Sequence, residues 1–262
     1  MEGAPYHSTS TRVTRLPAGE VVDDRLAVED PLEIRVNGQA VAVTMRTPGY
    51  DEELALGFCL TEGLVPAAAR LPDDLAANTV DVDAPGADLT AIQRSFYTSS
   101  SCGVCGKGAL EAVAVGSPPV AGDLMVPFDV VTRLPDLLRD AQPTFAQTGG
   151  LHATGMFSVD GELLCAREDV GRHNAMDKVI GWAFRAGRLP LAGVVLCVSG
   201  RLSFELVQKA AVAGCPVLVA VGAPSSLAVE LAVDRGLTLC GFVRNGRANV
   251  YSHPERIVPP PG

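Results

Sequence analysis

The stretch GVVLCVSGRLSFELVQKAAVAGCPVLVAVGAPSSLAVELAVDRGLTLCGFVRNGR, residues 193–247, sets the fold class, because two hydrophobic rhythms alternate along it. Short β-rich apolar runs at 193–198, 217–221 and 237–243 are separated by helical patterns at 203–213 and 225–234. A run apolar at nearly every position suits a strand buried on both faces, and such strands joined by helices form a βαβαβ unit with a parallel sheet. The expected class is therefore α/β. Ligands of such sheets sit at the carboxyl ends of the strands. Here those ends are Ser199-Gly200-Arg201, Gly222 to Ser226, and Arg244-Asn245-Gly246-Arg247. Ser199, Gly200, Arg201, Ser225 and Ser226 stand at or near helix starts, where capping competes with phosphate binding as the reason for a hydroxyl or glycine. Arg244 and Arg247 offer two forks for a phosphate or a guanine edge, and the same four residues also read as a hairpin tip.

Upstream, alternating runs flank Asn37-Gly38, a pair that tolerates the positive φ of a type I′ hairpin turn. Pro48-Gly49 then leads into Asp51-Glu52-Glu53, acidic residues suited to a first helical turn, and an apolar pattern follows as far as Gly63. The Ala-, Asp- and Pro-rich stretch 64–88 reads as a linker, residues 1–10 as loose, and the ending from Val258 as unable to continue a regular element. The expected division is an N-terminal hairpin and helix portion with its linker over 1–88, an α/β core over 89–252 and a tail over 253–262.

A net charge of −9 repels extended phosphate backbones and argues against a nucleic-acid partner. With 47% apolar residues the chain can fill a sizeable core, yet no run reaches the roughly 18 apolar residues of a membrane span. The first twenty residues show no secretory pattern, so the cytoplasm is expected. Seven cysteines in 262 residues do not resemble a disulfide framework. Cys59, Cys165, Cys197, Cys215 and Cys240 sit among apolar neighbours and read as small buried hydrophobes.

The other two thiols differ. In SSSCGVCGK (99–107) small residues surround Cys102 and Cys105, and Lys107 follows. A Cys-x-x-Cys setting, a cation or a helix start can lower a thiol pKa from ~8.5 to about 3.5–7.5, giving the nucleophilic thiolate. Three uses compete: half of a zinc site, a dithiol oxidoreductase and carriage of persulfide sulfur, and spacing alone does not choose among them. A second polar cluster, REDVGRHNAMDK (167–178), precedes an apolar helix. There Arg172, His173 and Lys178 are candidates for handling an anion or sulfur, against a plain helix start in which Asp169 caps and Asp177 pairs with a neighbouring base. His152, behind Gly149-Gly150, is a weaker candidate of the same kind.

Five separated segments, SSSCGVCGK, REDVGRHNAMDKVIGWA, SGRLSFELVQKAAVAGCPVL, APSSLAVELA and LCGFVRNGRANVYSHPERI, closely resemble the FdhD family of formate dehydrogenase accessory proteins in identity and order, as does LALGFCLTEGL (54–64). The resemblance implies a sulfurtransferase that accepts persulfide sulfur from a cysteine desulfurase. It implies delivery of that sulfur to the molybdenum or tungsten bis-pterin guanine dinucleotide cofactor before formate dehydrogenase receives it. Cys102 matches the persulfide position and Cys105 its partner thiol. Phe242, Val243, Arg244, Asn245, Gly246 and Arg247 match the segment that binds the cofactor's guanine nucleotide. A cytidine deaminase-like core and a homodimer are also implied. No permanently bound metal is expected, and the competing reading is a non-catalytic metal or cofactor chaperone that uses the thiol pair as a zinc site.

Overall fold

A computed structural model describes residues 7–72, 78–89, 119–120 and 122–260. The described residues open with an antiparallel ribbon of β1 (Ser8–Arg15) and β2 (Glu20–Ala27), so Ser8 to Ser10, expected to be loose, are paired in a strand. β3 (Asp30–Val36) and β4 (Gln39–Arg46) follow as a hairpin whose turn places Asn37 and Gly38 at φ 51° and 79°, as the sequence required. α1 (Asp51–Thr61) carries its three acidic residues in the first turn and ends before Gly63. The stretch expected as a linker contains β5 (Ala68–Arg70) and β6 (Thr79–Asp83), and β6 pairs with β3 in parallel to give a sheet ordered β4-β3-β6-β5. Val80 and Val82 alternate into its core with Leu32, Ile34 and Val36.

β7 (Val126–Pro127), α2 (Phe128–Asp140) and α3 (Pro143–Thr148) lead into the main sheet. Its elements are β8 (His152–Phe157), β9 (Leu163–Asp169), α4 (Arg172–Arg185), β10 (Val195–Val198), α5 (Phe204–Val212), β11 (Val217–Ala220), α6 (Ser226–Asp234), β12 (Thr238–Arg244) and β13 (Arg247–Ser252). The strand order is β13-β12-β11-β10-β8-β9. The βαβαβ unit forms as expected over β10 to β12, but only its two pairings are parallel, and the other three are antiparallel. The sheet is therefore mixed rather than largely parallel. For two of these three the physical reason is connection length, since Asn245-Gly246 and the turn at 158–162 are too short for a crossover and force hairpins.

Both faces of this sheet are covered, so successive residues of one strand enter different cores. Val195, Cys197, Val217 and Val219 pack with Val131, Leu134 and Leu138 of α2, while Leu196, Val198 and Leu218 pack with Met176, Ile180, Leu206 and Val207 of α4 and α5. Each fully buried aliphatic side chain contributes about 1.5–3 kcal/mol. The C-terminal stretch read as a tail is tied in by β14 (Ile257–Val258), which pairs with β7, and by Arg256, which donates to the carbonyl of Gly236 at 2.8 Å.

α1 joins the two sheets. One side of it fills the N-terminal core through Leu54, Ala55 and Cys59, and the other lies on α4. A side chain at Gly57 would collide with the carbonyl of Asp177, and one at Gly181 with the carbonyl of Glu53, so the crossing depends on two glycines.

Candidate functional site

At the carboxyl ends of β10, β11 and β12 the three loops are stitched together by their own backbones. Gly222 N–H donates to Gly200 O at 3.1 Å, Leu202 N–H to Ala223 O at 3.0 Å, Ser225 N–H to Leu202 O at 3.0 Å and Phe242 N–H to Gly222 O at 3.1 Å. Gly222 permits this approach, because a Cβ there would lie 2.8 Å from Gly200 O. The stitching leaves a cleft of about 180 Å³ lined by Arg172, Arg201, Ser203, Pro224 and Ser225. The first turns of α4, α5 and α6 all contribute to it or border it, giving it the positive ends of three helices. Among the described residues neither Arg172 nor Arg201 forms an ion pair or hydrogen bond, so two guanidinium forks face an anion-sized space.

The serines divide by task. Ser225 Oγ caps α6 by accepting from Ala228 N–H at 3.2 Å, and Ser199 Oγ accepts from Ala153 N–H at 2.8 Å, so both serve the scaffold as well as lining the edge. Ser226, the first residue of α6, is exposed beside them. Ser203, which the sequence pattern placed only at a helix start, stands at the N-cap of α5 with no capping bond; its Oγ lies 3.3 Å from His173 Nε2. Glu205 Oε2 lies 3.8 Å from the same nitrogen.

His173 is pushed down to about 4, first by burial and then by the cations Arg172 and Lys209. His152 is lowered by burial and by Arg172, and its ring stands where a Cβ on Gly200 would meet it at 3.4 Å. Both imidazoles are thus neutral at neutral pH, and the formal charge of the cleft comes from its arginines. Lys178 lies elsewhere. It is 1% exposed beneath α4, where its Nζ binds Asp169 Oδ2 at 2.7 Å and Thr47 O at 2.8 Å. Asp169 also accepts from the N–H groups of Thr47 and Gly171 and from Asn174 Nδ2, which fixes the start of α4. Asp177 pairs not with a neighbouring base but with the buried Lys209 of α5 at 2.8 Å, with Thr61 Oγ1 joining both. These two ion pairs set the direction of the helix that carries Arg172 and His173.

Phe242 to Arg247 occupy the end of β12 and the hairpin tip. Val243 is fully buried in the core, whereas Arg244, Asn245, Gly246 and Arg247 are exposed. Asn245 and Gly246 take φ of 51° and 70°, which residues of these types accept readily. Phe242 is different: a bulge between Gly241 and Arg244 holds it at φ 53°, which for a bulky residue stores roughly 1–3 kcal/mol, and it remains 39% exposed.

Cys102, Cys105 and Lys107 lie outside the described residues. The other five cysteines are free and buried. Burial pushes Cys59 and Cys240 up to about 12 and Cys165 and Cys215 up to about 11, and it raises Cys197 as well, so all five are held as neutral thiols. Among the described residues no group of three His, Cys, Asp or Glu could hold a metal ion, and no helix is long and apolar enough to cross a membrane.

These features define an α/β protein whose strand ends form an arginine-lined, anion-receptive edge. The chain belongs to the FdhD/NarQ family, whose model matches residues 27–258. It is 50% identical to the sulfur carrier protein FdhD of Mycobacterium tuberculosis, over 96% of this chain and 99% of that one. Identity to the protein of the same name from Mycolicibacterium paratuberculosis is 52%, over 94% and 97%. A crystal structure assigned to a formate dehydrogenase accessory protein from Desulfotalea psychrophila superposes with a TM-score of 0.76 at 28% identity, covering 96% of this chain and 98% of that one.

Proposed function

We propose that this chain is a cytoplasmic sulfur carrier for formate dehydrogenase, which takes sulfane sulfur onto Cys102 as a persulfide and delivers it to a molybdenum or tungsten bis-pterin guanine dinucleotide. The observation that carries the reading is the state of the cysteines. Five of the seven are buried, high-pKa thiols, which leaves Cys102 and Cys105 for sulfur chemistry in a chain whose relatives are named sulfur carriers.

Loading is an exchange without net oxidation. The Cys102 thiolate attacks the terminal sulfur of a cysteine desulfurase persulfide, a new S–S bond forms on Cys102, and the donor's S–S bond breaks to leave the donor thiolate. For delivery, the Cys105 thiolate attacks the inner sulfur of the Cys102 persulfide, and hydrosulfide leaves towards the acceptor. The sulfane sulfur is thereby reduced to sulfide while the two cysteines are oxidised to a disulfide, which a cellular dithiol then reduces. Lys107 supports the thiolate form electrostatically.

The acceptor is cargo. Its phosphates suit the Arg172 and Arg201 cleft, where Ser203 and the starts of α5 and α6 supply further donors. Arg244 and Arg247, exposed at the hairpin tip, take a guanine edge or a second phosphate in this reading. In this reading the core is of the cytidine deaminase type, and the working form is a homodimer that meets the desulfurase and the dehydrogenase catalytic subunit in turn.

The test combines two readouts in cells lacking the endogenous protein. Wild type restores formate dehydrogenase activity, and C102A does not, although the dehydrogenase still contains its pterin cofactor. Purified wild type gains a persulfide from a desulfurase and cysteine, and C102A does not. Stoichiometric zinc bound through the thiol pair, with no sulfur adduct, would overturn the reading in favour of a metal-binding chaperone.

A further inference from the structure

The ribbon of β1 and β2 is held at its base. There β2 packs on α3 with Ala27 beside Gly150, and Thr11, Val13 and Val22 are half-buried, whereas every residue from 14 to 21 is exposed. Eight-residue strands carry the tip roughly 27 Å from that base. The tip presents Leu16 at 83% exposure and Val21 at 59%, beside Arg15, which forms no ion pair among the described residues although Glu20 stands opposite it in register. Two strands alone are marginally stable in water, and an apolar side chain at the end of such a ribbon gains nothing until something covers it.

A groove of about 360 Å³ lies between the end of α1 and the turn after β6, where Leu64, Val65, Pro85 and Ala87 form apolar walls and Glu62 and Asp88 add acidic ones. Glu62 forms no ion pair among the described residues. Burial raises its pKa against the opposing pull of Lys209, so a cation arriving from outside stabilises its charged form. We propose that the Arg15-Leu16-Pro17 tip of one copy docks in this groove on a second copy, Leu16 against Val65 and Arg15 against Glu62. The occupant follows from complementarity: a basic and apolar tip meets an acidic and apolar groove. Leu16 is 83% and Val65 80% exposed, so the two do not cover each other within one copy. A twofold axis makes the exchange reciprocal and closes it at two copies. Two copies each carrying a charge of −9 repel, and the Arg15 contact opposes that repulsion where they meet. The inference rests on the homodimer of the proposed function and assigns it residues distinct from those of the arginine-lined cleft.

The experiment uses the full chain, in two parts. Sedimentation over a range of concentrations gives the dimer constant of wild type, L16E and V65R. L16E sets a carboxylate against the acidic groove and V65R a cation against Arg15, and each change acts at two reciprocal contacts, so both weaken the dimer about a hundredfold or more. Both side chains are exposed, so the variants melt with wild type, which separates a lost contact from a lost fold. In the second part, chains carrying C102A and C105A are mixed as L16C with V65C and oxidised. A disulfide-linked pair forms, whereas L16C mixed with V43C, an equally accessible position on the N-terminal sheet at 63% exposure, gives none. A wild-type dimer that L16E and V65R leave intact overturns the docked tip and leaves the homodimer standing. Cross-linking to V43C as readily as to V65C overturns it in the same way. A wild type that remains monomeric overturns the homodimer reading together with the tip.

Discussion

His173 meets the N-cap hydroxyl of α5 while Arg172 and Lys209 act on it, and its pKa of about 4 lies well below the ordinary value near ~6.5. Between those values the unfolded chain takes up a proton that the native state refuses. This imidazole therefore costs nothing above pH ~6.5, and stability falls as the pH drops towards 4. In H173Q the decline of the urea midpoint over that range should be shallower than in wild type; parallel curves would contradict the assignment. Beneath it, Lys209 pairs with the fully buried Asp177, whose pKa burial raises even with that partner in place. K209M should cost about 3–5 kcal/mol by leaving that carboxylate unpaired, and K209M/D177L should recover most of the loss by denaturant unfolding. The local pattern offers Asp177 a neighbouring base, but the partner lies 32 positions away, and nothing local marks it. Lys178 illustrates the converse, a cation that looked chemical in its run and is committed to Asp169 beneath the helix.

Among the elements, α1 and α4 make the contact that joins the N-terminal sheet to the core, and it relies on bare backbone at Gly57 and Gly181. G57A or G181A should lower the urea midpoint with an unchanged slope, at a cost of about 1–3 kcal/mol or more, because the obstructing atoms are main-chain carbonyls that cannot rotate away. Equal midpoints would show that the helices can separate without cost. The elements with strong local signals were legible in the sequence: the Asn37-Gly38 hairpin, the acidic start of α1, and the apolar strands β10 to β12 with their intervening helices. β1, β2, β5 and β6 were not, because they are short or polar and are defined by pairing with partners. Of the antiparallel neighbours, β8 shows in the sequence only as a strand near 156–159 with no sign of its partners, and β9 and β13 mix polar with apolar positions, so the pattern overstates how parallel the sheet is.

For the whole molecule, the edge at 199–201, 222–226 and 244–247 was legible because a βαβαβ pattern dictates where its strand ends gather. The convergence of α4 on that edge was not, since it depends on helix packing directed by buried ion pairs. The net charge of −9 makes an arginine-lined cleft a local exception on an acidic protein, which disfavours an extended polyanion there. Five of the seven cysteines are sealed in the fold, and the proposed function assigns sulfur exchange to the other two, Cys102 and Cys105. The most direct measurement is the intact mass of wild type, C102A, C105A and the double variant after incubation with a cysteine desulfurase and cysteine. The account predicts one added sulfur atom in wild type and C105A, removed by a dithiol reductant, and none in C102A or the double variant. An adduct that survives in the double variant, and so resides on one of the five core cysteines, would contradict it.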